Sequence, residues 1–147
     1  MTNYRKLDYD TKDLESLSNG ELKKLADYWL RQYIIFNLKD KNLHKCPLKK
    51  RIFKVSKMHI AHFFDRNIMA TRYDLNNVHL ISEQSNCWDA LISKTGYKSL
   101  HHYEYEIWLR DKIGDNKFRE LLSKSKEITI FAKVDYINVI NKFRNGY

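Results

Sequence analysis

Residues 59–86 read "HIAHFFDRNIMATRYDLNNVHLISEQSN". An apolar, aromatic run carrying His59 and His62 predicts a strand over about 55–64, and "NNVHLI" predicts a second over about 77–81. Between them, Asp74 and the Asn76–Asn77 pair supply turn chemistry. Ser85 or Asn86 then stands where a helix cap belongs, ahead of Trp88, Ala90, Leu91 and Ile92, with Gly96 as the stop. A lone histidine in an apolar run is usually a satisfied core or surface group. This pair belongs to a strand–loop–strand–helix unit of under forty residues, and that context decides how it is read.

Outward from this unit the chain reads as helical at both ends. Ser18 and Glu21 stand at capping-box spacing, and Leu22, Leu25, Ala26, Trp29, Tyr33 and Phe36 follow at steps of three and four, which predicts a helix over about 18–38. After the second strand, Ser99 can cap a helix with Leu100, Tyr103, Ile107 and Trp108 that ends near Gly114. Asp115 can cap another with Phe118, Leu121 and Leu122. Thr129 can open a last one with Ala132 or Val134, Ile137, Ile140 and Phe143. The expected class is α+β: a small hairpin-plus-helix core over 55–95, wrapped by the N-terminal helix and by helices over 99–147. With 147 residues, one proline and four glycines, a single domain is expected.

Composition narrows the partner. Hydrophobic residues make up 43% of the chain and aromatic ones 14%, enough for a sizeable core, while 27 Lys+Arg against 18 Asp+Glu leave a formal +9. Seven of those nine net charges lie in segment 39–57, where Lys39, Lys41, Lys45, Lys49, Lys50, Arg51, Lys54 and Lys57 face only Asp40. Such a run is either a solvated loop and hairpin or a phosphate-facing patch beside the histidines. A polyanion is favoured, nucleic acid first. No apolar stretch approaches membrane-span length, and "MTNYRKLDYD" lacks a signal-peptide core, so a cytoplasmic protein with no membrane partner is expected. Cys46 and Cys87, with no CxxC, offer neither a disulfide framework nor a four-cysteine zinc site.

Phosphodiester hydrolysis needs an activated water, neutralised phosphoryl oxygens and help for the departing oxygen. A hairpin packed on a helix brings together His62, Asn77 and Asn86, although 24 positions separate the outer two. His62 can take the water's proton near neutral pH, a divalent cation near Asn86 can clamp the phosphate, and Asn77 can bond across the loop. This plan resembles the ββα-metal, or HNH, nuclease site. From the first helix onward, about 120 residues resemble the NinG (Rap) family of phage recombination nucleases, an HNH or His-Me finger branch. The resemblance rests on "ADYWLRQYIIFNLKD", "AHF" at 61–63, "RYDLNNV" at 72–78 and "SN" at 85–86 followed by a helical tail.

The resemblance implies a structure-specific endonuclease that cuts branched recombination intermediates, Holliday junctions and D-loops, using a divalent cation (Mg²⁺ or Mn²⁺), in the cytoplasm of a phage-infected or prophage-carrying bacterial host. Residue by residue, it makes His62 the general base, Asn77 the middle asparagine and Asn86 a metal ligand. Arg72 and Asp74 match the family's R-x-D stretch, Arg72 as a phosphate contact and Asp74 as a loop brace. Lys49, Lys50, Arg51, Lys54 and Arg72 are the DNA-binding candidates. A homodimer would match the paired strands of a four-way junction, although nothing in the sequence shows one.

Two departures carry weight. The family's two CxxC knuckles, which hold a structural zinc, are reduced here to Cys46 in "HKCPLKK" and to "SEQS", Ser82 to Ser85; hydroxyls are poor zinc ligands, so no structural zinc is expected and Phe63, Phe64 and Trp88 are expected to hold the hairpin. Many HNH sites also place an Asp or His ligand before the base, where Ala61 stands here. His59 can replace it as a metal ligand only if a bulge or the strand's end overcomes the alternation that points 59 and 62 to opposite faces. Asp65, His79 and Asp89 are other possible ligands that read first as bystanders, Glu83 reads as exposed, and the adjacent His101 and His102 and Cys87 as structural. The rival reading is a catalytically silent DNA-binding or regulatory protein on a decayed HNH scaffold.

Overall fold

The computed structural model describes residues 13–86 and 100–146. The expected helix over Trp88, Ala90, Leu91 and Ile92, its stop at Gly96, Cys87, Asp89 and the Ser99 cap lie outside these residues. The chain groups into two compact units, one running to Leu38 and resuming at Ile130, the other spanning Lys39–Thr129.

The first unit pairs α1 (Asn19–Phe36) with α6 (Lys133–Arg144). Ser18 caps α1 as its sequence predicts: the Glu21 amide donates to the Ser18 Oγ at 3.3 Å and the Ser18 amide to the Glu21 Oε2 at 2.9 Å. The helix ends at Asn37, whose side-chain amide donates to the Tyr33 carbonyl at 2.8 Å. Its buried stripe is Leu22, Leu25, Ala26 and Leu30, whereas Phe36, expected in that stripe, is exposed. Positions 22, 26 and 30 stack on one face at steps of four, and the stripe drifts away from 29, 33 and 36. Tyr33 meets Phe143 of α6 with ring centroids 5.3 Å apart, beside buried Tyr136 and Ile140. The last helix opens at Lys133, later than the predicted Thr129, because the Asp135 carboxylate accepts from the Ala132 amide at 2.7 Å and so closes the first turn there.

The second unit is built on two antiparallel hairpins, β1 (Leu43–Lys45) with β2 (Ile52–Lys54), and β3 (Met58–His62) with β4 (Val78–Ser82). A 3-10 turn at Val55–Lys57 leads from β2 into β3, and the short helix α2 (Met69–Arg72) lies between β3 and β4. All five residues of β4 are buried. Directly after it, residues 83–86 are helical and open α3. The helix begins three residues before the sequence predicts, because Ser82 serves as both the last strand residue and the cap, its Oγ accepting from the Ser85 amide at 3.3 Å.

Helices α4 (Leu100–Ile113) and α5 (Asp115–Lys124) complete this unit. Between them Gly114 adopts φ 84°, a left-handed conformation that glycine takes without steric cost. The buried face of α4 carries Tyr105 and Leu109, whereas Tyr103 and Ile107, predicted for the core, are exposed. Phe63, just past β3, organises the packing. Its ring lies 4.9 Å from Phe64, 5.1 Å from Tyr105, 5.6 Å from Phe118 and 4.8 Å from His102, the last stacked nearly parallel. The expected aromatic packing of Phe63 and Phe64 is present; Trp88 is among the residues not described.

Candidate active site

His62 closes β3 half-buried, and its Nε2 lies 3.0 Å from the Arg72 carbonyl oxygen. A carbonyl only accepts, so Nε2 carries the proton and the neutral ring keeps its lone pair on Nδ1. The carbonyl is held by the loop around it. Fully buried Asn77 accepts at Oδ1 from the Phe64 amide at 2.7 Å and donates through Nδ2 to the carbonyls of Phe64 and Thr71, each at 3.1 Å. With Phe63 N donating to the Asn77 carbonyl at 2.9 Å, this one residue fixes both ends of the segment between His62 and Arg72. Asp74 closes the same loop: its carboxylate accepts from the Asn76 amide at 3.0 Å and from the Lys124 ammonium at 2.8 Å.

His59 and Asn86 also meet. The Asn86 Nδ2 position lies 3.3 Å from the His59 Nδ1. The β3–β4 ladder runs unbroken from Met58↔Ser82 to His62↔Val78, so it holds no bulge. His59 therefore shares its face with Ala61, His79 and Ile81, and His62 shares the other with Ile60 and Val78. The strand does not bring the two histidines to one ion. Among the described residues no group of three or more His, Cys, Asp or Glu side chains is placed to hold a metal. As a donor set, the His59 imidazole and the Asn86 amide oxygen, after an amide turn, fit a hard or borderline divalent cation that fills its other positions with water and phosphate oxygens; neighbouring ligands of such an ion stand about 3 Å apart.

Cys46, Ser82 and Ser85 form a buried polar knot. Cys46 Sγ accepts from the Ser82 amide at 3.3 Å, and the Ser82 and Ser85 hydroxyls are 3.0 Å apart, all three residues being buried. Burial alone would raise the Cys46 thiol's pKa, but the amides of Ser82, Lys49 and Leu48 together leave it lowered. The knot ties the turn end of the β1–β2 hairpin, just past β1, to the strand end that leads to Asn86.

His79 is a core residue. Its Nδ1 lies 2.6 Å from the Tyr105 hydroxyl, its ring packs edge-on against Trp108 at 4.9 Å, and its Nε2 is buried without a hydrogen-bond partner. Burial, then the charges of Lys112 and His62, push its pKa down to about 3. Asp65 is exposed, its carboxylate accepting from the Asn67 amide at 2.8 Å, and Glu83 is exposed.

The basic candidates divide. Lys50, Arg51 and Lys54 are exposed and Lys49 half-buried on the β1–β2 hairpin. Arg72 differs from the expected phosphate contact: it is 5% exposed, and its Nη1 donates to the Arg66 carbonyl at 2.6 Å. The loop folds over the guanidinium and uses it as an internal donor, so it presents almost no surface to a phosphate. The Arg72 carbonyl and the Tyr105 hydroxyl went unnoticed in the sequence, the first because backbone carries no residue signal and the second because 26 positions separate it from His79. Comparison with family models, curated proteins and solved structures gives no match.

Proposed function

We propose that this protein is a metal-dependent endonuclease of the ββα-metal (HNH-like) kind that hydrolyses phosphodiesters in branched DNA. The observation that carries the reading is the 3.0 Å approach of His62 Nε2 to the Arg72 carbonyl oxygen: a carbonyl accepts only, so the neutral ring carries its proton on Nε2 and Nδ1 is the basic atom. In the reaction, Nδ1 takes a proton from the attacking water as its oxygen bonds to phosphorus. The bond from phosphorus to the leaving sugar oxygen breaks, and that oxygen is protonated by solvent. Asn86 would hold a divalent cation, Mg²⁺ or Mn²⁺, which would supply charge neutralisation for the phosphoryl and leaving oxygens, with His59 a second ligand only if the ion is reached from the strand face opposite His62. Asn77 positions the loop whose carbonyl orients His62. Lys49, Lys50, Arg51 and Lys54 dock phosphates, and a homodimer would address paired strands.

A second reading, a catalytically silent DNA-binding protein on the same scaffold, is favoured by the ladder register that sends His59 and His62 to opposite faces. Cleavage separates the two. A labelled four-way junction, a D-loop and plain duplex are incubated with wild type and His62→Ala, each with Mg²⁺, Mn²⁺ or EDTA, and circular dichroism verifies that both proteins are folded. The nuclease reading expects wild-type cleavage that EDTA stops and a mutant that binds DNA but cuts about 10²–10⁴-fold more slowly. Binding without cleavage by either protein establishes the silent scaffold instead.

A further inference from the structure

The exposed face of the β1–β2 hairpin is unusual in what it mixes. Its register sets Leu43 opposite Lys54 and Ile52 opposite Lys45, with His44 and Phe53 on the other face. All four outward residues are exposed, Ile52 to 67% and Leu43 to 46%. Two aliphatic side chains thus lie diagonally between two lysines, and the tip adds Lys50 and Arg51. Residues 43–54 hold five basic side chains and no Asp or Glu.

This hairpin is also rigid. The Cys46 amide donates to the Arg51 carbonyl and the Lys50 amide to the Cys46 carbonyl, both at 2.8 Å. At the open end the Val55 amide donates to the Asn42 carbonyl at 2.8 Å, and the Asp40 carboxylate accepts from the amides of Asn42 and Leu43. At the tip Lys50 adopts φ 55°, a left-handed conformation that favours glycine or asparagine. A cation stands where glycine or asparagine would fold with less strain, and such a conflict points to use.

Resting on the DNA-binding reading above, we infer that this hairpin enters a DNA groove as a two-stranded ribbon and sets Ile52 and Leu43 against bases at a branch point. The major groove, about 12 Å wide, admits a ribbon whose strands are about 4.8 Å apart. Lys45, Lys50, Arg51 and Lys54 reach the flanking phosphates. Aliphatic groups gain little from stacked duplex, whose bases present polar edges, but a branch point unstacks bases and opens apolar faces to them. The face therefore reads DNA form, with charge for affinity and the aliphatic pair for the branch. A lipid surface would also attract the charge, but two aliphatics on a stiff ribbon offer little area to bury in it.

The test measures binding of a four-way junction and of duplex over a salt series in EDTA, together with binding to phosphatidylserine/phosphatidylcholine vesicles, for wild type, Lys50→Gly/Arg51→Ala and Leu43→Ser/Ile52→Ser. For the first variant the slope of log affinity against log salt falls by about 2, at about 0.9 for each phosphate no longer neutralised, while its melting temperature is unchanged or higher. The second keeps duplex affinity and slope but loses about tenfold in junction preference. Wild type that binds DNA together with variants that match it in slope and preference overturns the hairpin inference and leaves the DNA reading standing. Wild type that binds no DNA overturns both, and tighter binding to vesicles than to DNA reassigns the face to lipid.

Discussion

Acidification should destabilise the second unit through His79, and the size of the effect follows from its burial. Unfolded, the imidazole takes a proton near pH 6.5; folded, it resists protonation until about 3. Between those values the unfolded chain binds more protons, so stability is full above about pH 6.5 and declines as pH falls toward 3. For a single site the loss between pH 7 and pH 5 comes to about 2 kcal/mol, most of it below pH 6. The variant His79→Phe removes the titrating group while keeping an aromatic ring in the site. The missing bond to the Tyr105 hydroxyl is a pH-independent offset in this range and drops out of the comparison. His44, whose pKa is lowered by burial and then by the Lys112 charge, contributes with the same sign in both proteins and largely cancels. Urea denaturation of both proteins at pH 7, 6 and 5 gives the difference directly. Wild type should lose about 2 kcal/mol more than the variant over that span, and equal losses in the two would refute the assignment of His79 as a buried neutral base.

Two further outcomes follow from the loop around His62. Asn77→Ala removes three hydrogen bonds from a fully buried position and leaves the Phe64 and Thr71 groups short of partners, so it should cost about 2–4 kcal/mol in urea denaturation. Arg72→Met should cost about 1.5–3 kcal/mol because the bond to the Arg66 carbonyl is removed, yet leave the salt slope of DNA binding unchanged, because a guanidinium bonded inside the loop releases no counterions from DNA. A reduced slope would restore Arg72 as a phosphate contact.

The order of residues along the chain was enough for the local events. The capping box placed α1 at Ser18, and period placed the strands of the second hairpin within a few residues and α5 within one, although Gly114 rather than the expected Asp115 stands at its cap position, since helix capping and strand alternation depend on near neighbours. The α+β class and the turn at Asp74, whose carboxylate accepts from the Asn76 amide two residues on, were legible for the same reason. Packing in three dimensions selected which face of each helix is buried, so Phe36, Tyr103 and Ile107 face outward although their spacing suits a core. It turned Arg72 inward, joined His59 to Asn86, and tied Cys46 to Ser82 across 36 positions. It also grouped α1 with α6 in one unit and the hairpins with α4 and α5 in the other. Periodicity states only that a stripe or a polar group exists; what it meets depends on chain segments far away in sequence, and their approach is set by packing and by the need to pair every buried polar atom.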